Sequence, residues 1–220
     1  MKESTAKQLM EKVKRDYSDI AEDFDATRRK DWKDFEVFDQ YLGGKILDIG
    51  CGNGRLKDHI GDRGEYFGCD NNNKFVEIAR KRGGDFKVGD FLRLPYPDDY
   101  FDLVLSVAAF HHIPPGKFQQ KALREVARVM KPGSKGIFMV WNLWQKRYFK
   151  VFLKAVLRFA LSFGKNSPCA FFVPWGEKVE RYYHAFTRRQ LKKVFKKAGF
   201  KIEKVDFTPS KKNFHIVFKK

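Results

Sequence analysis

Lys45-Ile46-Leu47-Asp48-Ile49-Gly50-Cys51-Gly52-Asn53-Gly54 decides how the rest of the 220-residue chain is read. Its first half is a short apolar run of the kind that forms a buried strand, and glycines at alternate positions close it before helix-compatible residues resume at Arg55. That is the first strand-to-helix turn of an open α/β sheet, where ligands bind. Glycine there admits positive φ and lets a ligand approach backbone amides. The spacing narrows the ligand. A dinucleotide loop needs G-x-G-x-x-G, and Arg55 stands where its third glycine belongs; a P-loop needs Gly-Lys-Ser/Thr, which does not follow.

Working outward, Glu65 to Asp70 reads as a second strand and Asp85 to Val88 as a third, with a helix from Asn73 to Arg82 between them. Phe101 to Ser106 is a fourth, buried strand. A helix from Lys117 to Met130 is expected to stop at Lys131-Pro132-Gly133, ahead of a fifth strand from Gly136 to Trp141. Strands alternating with helices predict a mostly parallel sheet covered on both faces. Residues 3–40 read as a helical leader, with Val13, Tyr17, Ile20, Ala21 and Phe24 at near-helical spacing. After Trp141 the rhythm breaks. Residues 142–180 are expected to hold an amphipathic stretch and then a Pro- and Trp-containing loop, before helix resumes near Thr187 to Ala198. Phe200 to Phe207 and Asn213 to Phe218 then form an antiparallel hairpin that closes the sheet. The expected organisation is a cofactor-covering segment at 1–40, a core at 41–141, a basic aromatic insertion at 142–186, and the final helix and strands at 187–220.

The strand ends carry chemistry in order. Asp48 ends the first, Asp70 with Asn71 the second, Asp90 with Phe91 follows the third, and Ser106-Val107-Ala108 ends the fourth. With the glycine loop, this series resembles the D-x-G-x-G-x-G signature of class I S-adenosylmethionine methyltransferases, and it predicts a Rossmann-like, mostly parallel seven-stranded sheet with an antiparallel C-terminal hairpin. The resemblance implies that Asp48, Gly50, Cys51, Gly52, Asn53 and Gly54 embrace the amino-acid end of S-adenosylmethionine. It implies Asp70 and Asn71 at the ribose, Asp90 and Phe91 at the adenine, and Ser106, Val107 and Ala108 near the sulfonium.

Further motifs make the resemblance more specific. Tyr17-Ser18-Asp19-Ile20-Ala21-Glu22-Asp23-Phe24 with Thr27-Arg28 and Trp32, the Asn53-Gly54-Arg55-Leu56 ending, His111-His112-Ile113 and Arg181-Tyr182-Tyr183-His184-Ala185-Phe186 are similar to the eukaryotic tRNA wobble-uridine carboxymethyl methyltransferases. That likeness covers nearly the whole chain. It implies methyl esterification of 5-carboxymethyluridine in tRNA, Tyr17 and Arg28 closing over the cofactor, and a small activator subunit as a partner. His111, Arg181 and His184 are the expected acceptor-side residues: both histidines of the pair follow strand four, and arginine grips a carboxylate in a bidentate fork. The acceptor needs no strong base, because a carboxylate is ionised at neutral pH. Ile113-Pro114-Pro115-Gly116 lacks the polar residue and ring of amine-methylating motifs, and no cysteine is placed as a carbon-methylation nucleophile.

Charge locates the anionic partner. The net +18 is divided into +2 over residues 1–140 and +16 over 141–220. Lys146, Lys150, Lys154 and Arg158 recur along one face of the amphipathic stretch, whose apolar face is expected to pack on the catalytic domain; Arg188, Arg189, Lys192 and Lys196 mark a second basic helix. Two cationic surfaces suit folded tRNA, with an anionic membrane surface and plain solvation as the other readings. The alternatives for function are methylation of a small or lipid-like acceptor beneath a membrane-facing lid, and an RNA-binding module that lacks catalysis. Three unpaired cysteines without CxxC spacing suggest neither disulfides nor zinc, and with no apolar leader the expected setting is cytoplasmic.

Overall fold

The computed structural model describes residues 2–28, 32–162 and 166–220. Alternation of side chains across each strand explains why both faces of the sheet are covered. In β1 (Lys45–Ile49), Leu47 and Ile49 face one core while Ile46 faces the other, and in β4 (Phe101–Val107) Val104 opposes Leu103 and Leu105 in the same way. β2 (Glu65–Asp70), β3 (Asp85–Val88) and β5 (Met130–Trp141) complete the parallel part. β8 (Lys201–Phe207) and β9 (Asn213–Lys219) add the antiparallel hairpin, giving the order β3-β2-β1-β4-β5-β9-β8. This is the seven-stranded sheet that the sequence predicts. The order reverses between β1 and β4, which opens the crevice at their C-terminal ends.

One face is dominated by phenylalanine. Phe101, Phe110, Phe138, Phe186, Phe195 and Phe218 are fully buried, and α5 (Lys117–Val129) and α7 (Arg188–Lys197) supply Leu123, Val126 and Leu191. The other face packs α3 (Arg55–Ile60), α4 (Asn73–Arg80) and a 3-10 helix at Lys33–Tyr41, through Leu56, Ile60, Val76, Phe35 and Phe38. The leader therefore divides into α1 (Glu3–Asp19), α2 (Ala21–Thr27) and that 3-10 helix, with 29–31 outside the described residues.

Two local expectations are corrected. Lys131-Pro132-Gly133 does not follow the helix as a free stop: α5 ends at Val129 and β5 begins at once, because the Asp99 and Tyr100 amides take the carbonyls of Arg128 and Val129 and Phe101 pairs with Met130. Pro132, with no N–H to give, sits where the β4–β5 register shifts. The expected loop before α7 is instead a hairpin of β6 (Ala170–Trp175) and β7 (Val179–His184). Pro174 is compatible with it because a two-stranded ribbon has only edge strands. The hairpin packs on α1 through Val13, Ala170 and Tyr182, and on α6 (Phe149–Leu161) through Ala155, Phe171 and Val173.

Candidate functional site

A cavity of about 990 Å³ opens over the C-terminal ends of β1 and β4 and is roofed by α1 and α2. The glycine loop forms its floor. Gly50 has φ +75°, and a Cβ there would overlap that of Ala109; Gly52 has φ +54°, and a Cβ there would sit 3.7 Å from the Phe24 ring. Both positions require the residue that the sequence supplies.

Two carboxylates project from strand ends. Asp48 is buried; its Oδ2 accepts from the Tyr66 hydroxyl at 2.8 Å, while its Oδ1 has no partner. Burial pushes its pKa up to about 7, opposed by the Tyr66 hydrogen bond and reinforced by the charge of Asp70. Asp70 accepts from the backbone amides of Gly52 and Asn72, each at 2.9 Å, and burial raises it to about 6. Asn71, Asp90, Phe91, Val107 and Ala108 line the same cavity, along with Gly50, Cys51, Gly52 and Asn53. Gly54 caps α3 behind the loop, against Phe86. Ser106 is buried off the cavity wall with its hydroxyl unpartnered. Asn53 ties loop to roof, donating to Asp25 at 2.9 Å and to the Arg28 carbonyl at 3.2 Å.

The opposite end is aromatic and cationic. Tyr17 and His112 line it and meet at 3.0 Å. The His112 Nδ1 lies 2.7 Å from the Tyr182 carbonyl, which can only accept, so Nδ1 carries the proton and Nε2 accepts from the Tyr17 hydroxyl. Burial lowers the His112 pKa to about 3, and the ring stays neutral at physiological pH. The Tyr17 oxygen in turn accepts from Arg181 at 3.2 Å. Arg181 is buried behind that wall, and its guanidinium and that of Arg28 both stack on Trp175, at 4.8 and 4.4 Å. Burial and then the neighbouring Arg181 lower the pKa of Arg28, and neither guanidinium meets a carboxylate among the described residues.

Of the expected acceptor-side residues, only Arg181 reaches the wall, through Tyr17. His111 is buried, its Nδ1 accepting from the Trp141 amide at 3.1 Å, and its partner in the pair, His112, takes the place facing the cavity. His184 is packed edge-on against Phe186, and burial lowers its pKa to about 4. The sequence reading did not single out Trp141, Arg147, Tyr148, Lys212 or Asn213, all of which line the cavity. The last two are held by Asp34, a buried carboxylate that accepts from the Thr208 and Ser210 hydroxyls, the Ser210 amide and the Asn213 side chain. Burial works against its charge, but those hydrogen bonds outweigh it and hold the carboxyl below the usual range. No local pattern announces a bond spanning 174 residues or more.

Residues 47–138 match the Methyltransferase domain family. The chain is 30% identical over 208 residues to a Schizosaccharomyces pombe tRNA (carboxymethyluridine(34)-5-O)-methyltransferase, an alignment that covers 83% of this chain and 86% of the relative. This chain belongs to the tRNA carboxymethyluridine methyltransferase family. An Arabidopsis thaliana member is 34% identical over 136 residues, 61% of this chain, which spans only 33% of that longer protein. Among solved structures, an SAM-dependent methyltransferase of Methanosarcina mazei superposes with a TM-score of 0.71 at 24% identity, covering 84% of this chain and 96% of the other. A methyltransferase in complex with the Haloferax volcanii Trm112 methyltransferase activator gives 0.64 at 18%, covering 94% and 96%. Both likenesses concern the fold.

S-adenosylmethionine is the cofactor of the family, and the residues at the glycine-loop end fit it. The unpartnered Asp48 oxygen suits an ammonium, Asp70 keeps lone pairs beyond its two amides for hydroxyl donors, and Phe91 offers an apolar face. Among the described residues no group of His, Cys, Asp or Glu is arranged to hold a metal, and no helix is long and apolar enough to cross a membrane.

The two basic helices differ. On α7, Leu191 and Phe195 are buried while Arg188, Arg189, Lys192 and Lys196 face solvent, Arg188 lying 3.9 Å from Asp206. On α6, Lys146 just precedes the helix and Lys150, Lys154 and Arg158 face solvent, as expected, but the apolar side is not packed on the catalytic domain. Only Ala155 is buried in that helix, because the hairpin beneath it is narrow and covers a single strip.

Proposed function

We propose that this chain methylates the carboxylate of 5-carboxymethyluridine at the wobble position of tRNA. The observation that carries the reading is the pair of guanidiniums, Arg28 and Arg181, stacked on Trp175 without a carboxylate partner beside the cavity. Two uncompensated cations in a partly dry site call for an anionic ligand, and a carboxylate matches the planar fork of arginine. When bound, the cofactor supplies an electrophilic methyl group. Asp48, Asp70, Asp90 and the Gly50 to Gly54 loop hold it, with Tyr17 and Arg28 above, and the buried charge of Arg181 behind Tyr17 draws the acceptor carboxylate to this end.

The protonation states agree with that chemistry. His112, with a pKa near 3, is a poor base, and an ionised carboxylate needs none. Its work is to hold the Tyr17 hydroxyl, whose oxygen is then free to receive Arg181. His111 and His184 support the wall from behind. The solvent-facing cations of α7, Arg188, Arg189, Lys192 and Lys196, engage tRNA phosphates. An activator subunit of the Trm112 kind is proposed as a partner, following the Haloferax complex.

The test is incubation of the protein, with and without such a subunit, with bulk tRNA and methyl-labelled S-adenosylmethionine, followed by nucleoside analysis and mild alkali. Label recovered in a 5-substituted uridine and released by alkali is the expected result. Label that survives alkali excludes the ester and returns the acceptor to a base or ribose atom.

A further inference from the structure

The outer face of α6 is apolar where a surface helix is ordinarily polar. Phe149, Leu153, Leu157 and Leu161 are 58, 50, 58 and 71% exposed, and Val156 lies between them. Phe149, Leu153, Val156 and Ala160 follow the spacing i, i+4, i+7, i+11, which sets them in one stripe along the helix. Lys150, Lys154 and Arg158 run along one flank of that stripe. The other flank is the strip seated on the hairpin, through Val151, Phe152 and Ala155.

Charge then selects the occupant. Residues 142–176 contain no aspartate or glutamate, and neither Lys150 nor Lys154 meets a carboxylate among the described residues. A second copy of the chain would bring the same cations against themselves. Nucleic acid would satisfy the lysines but leave four large side chains in water. The stripe also lies clear of the cavity over the glycine loop and of the one around Asp25 and Arg82. An exposed apolar stripe edged by cations fits a surface that is apolar below and anionic above.

We propose that α6 lies in the headgroup region of an anionic membrane, with Phe149, Leu153, Leu157 and Leu161 inserted and Lys150 and Lys154 against lipid phosphates or carboxylates, while Arg158 stays with Glu180, 3.8 Å away. Trp144 enters the same layer: it packs on Phe152 and Phe171, donates its indole N–H to the Phe186 carbonyl at 2.8 Å and leaves its outer edge exposed. Arg147 and Tyr148, one turn before the stripe, line the catalytic cavity. A docked α6 therefore brings the cavity rim to the membrane. This contact is independent of the acceptor proposed above.

The 220-residue chain is sedimented with vesicles of phosphatidylcholine alone and of phosphatidylcholine with about 30% phosphatidylserine, a charge density in the range of a cytoplasmic leaflet. Binding to the anionic vesicles only is expected. In Leu153→Glu/Leu157→Glu it falls about tenfold or more, since the apolar insertion is lost and two anions are added beside the lipid. Both positions are exposed, so an unchanged melting temperature and unchanged tRNA binding accompany the loss. Brominated lipid should quench wild-type fluorescence and quench Trp144→Phe less. Protein left in the supernatant when the anionic vesicles pellet overturns the proposal. Equal binding of the wild type and the double variant also overturns it, since adsorption then follows from net charge alone. So does a double variant that keeps vesicle binding but loses tRNA, which would give the face to nucleic acid.

Discussion

At the glycine-loop end of the cavity the polar groups are fixed by backbone close at hand: Asp70 takes the amides of Gly52 and Asn72, and Asp48 is set by the strand that carries it. At the other end, Arg28 comes from the N-terminal leader and meets Arg181 on Trp175, both of the β6–β7 hairpin about 150 residues further on. The first end is built by local geometry, the second by the docking of α1 and α2 onto the β6–β7 hairpin. Damage at the first should therefore abolish cofactor binding outright, and damage at the second should leave cofactor bound and impair transfer.

The largest effect separates the two ends most sharply. Gly52→Val places a branched side chain at φ +54°, where β-branched residues are strained, and fills the space toward Phe24 that the cofactor needs. Calorimetric titration with S-adenosylmethionine should show at least about a hundredfold loss of affinity, given the combined steric and backbone cost. Asp70→Ala should approach it. Near-normal affinity in both variants would break the assignment of this end to the cofactor.

Arg181→Ala tests the other end. Loss of a buried cation and of its charge-assisted hydrogen bond to Tyr17 is worth about 2–3 kcal/mol, which converts to a fall of about thirty- to 160-fold in kcat/KM for tRNA. Cofactor affinity should change little, and Arg181→Lys should recover only part of the rate because an ammonium keeps the charge but cannot stack flat on Trp175 while bonding Tyr17. An equal fall in cofactor affinity would merge the two ends into one site. Tyr17→Phe removes the oxygen between His112 and Arg181 and should lower kcat/KM by about tenfold, one hydrogen bond's worth, with the fold kept.

The same difference explains what was legible in the residues alone. The sheet, the glycine loop and each strand-end carboxylate are written locally, as apolar runs of period two and turn glycines, and they appear where the pattern puts them. The choice of His112 over His111 is not written there: adjacent residues point opposite ways, and only the carbonyl of Tyr182, 70 residues on, fixes which ring faces the cavity. Lys212 and Asn213 were invisible for a similar reason, their turn being held by Asp34. Asp34→Ala should cost about 3 kcal/mol in urea unfolding, the range for hydrogen bonds to a buried charge, and should loosen that wall without touching the glycine loop. The hairpin at 170–184 was hidden by Pro174 and by its aromatic composition, and the exposure of α6 by the habit of counting apolar side chains as buried.

The smallest effect is the one in which the two ends respond to protons differently. Asp48 and Asp70 titrate near 7 and 6 when folded, well above the ordinary aspartate value of 3.8. Raised carboxyl pKa values mean that the folded state favours the proton, so this contribution to stability is complete below about pH 4 and is lost as pH rises through 6 and 7. Cofactor binding runs the other way, because an ionised Asp48 is what attracts an ammonium. Between pH 8 and pH 6, affinity for S-adenosylmethionine should fall about tenfold, one unit of protonation at Asp48. The ligand-induced rise in melting temperature should shrink with it. Asp48→Asn should bind weakly and without that pH dependence. The other end has no matching dependence, since His112, lowered to about 3, is neutral throughout that range. A tRNA binding profile that followed the same curve, in the absence of cofactor, would place a titrating group at the end of the cavity that the structure leaves without one.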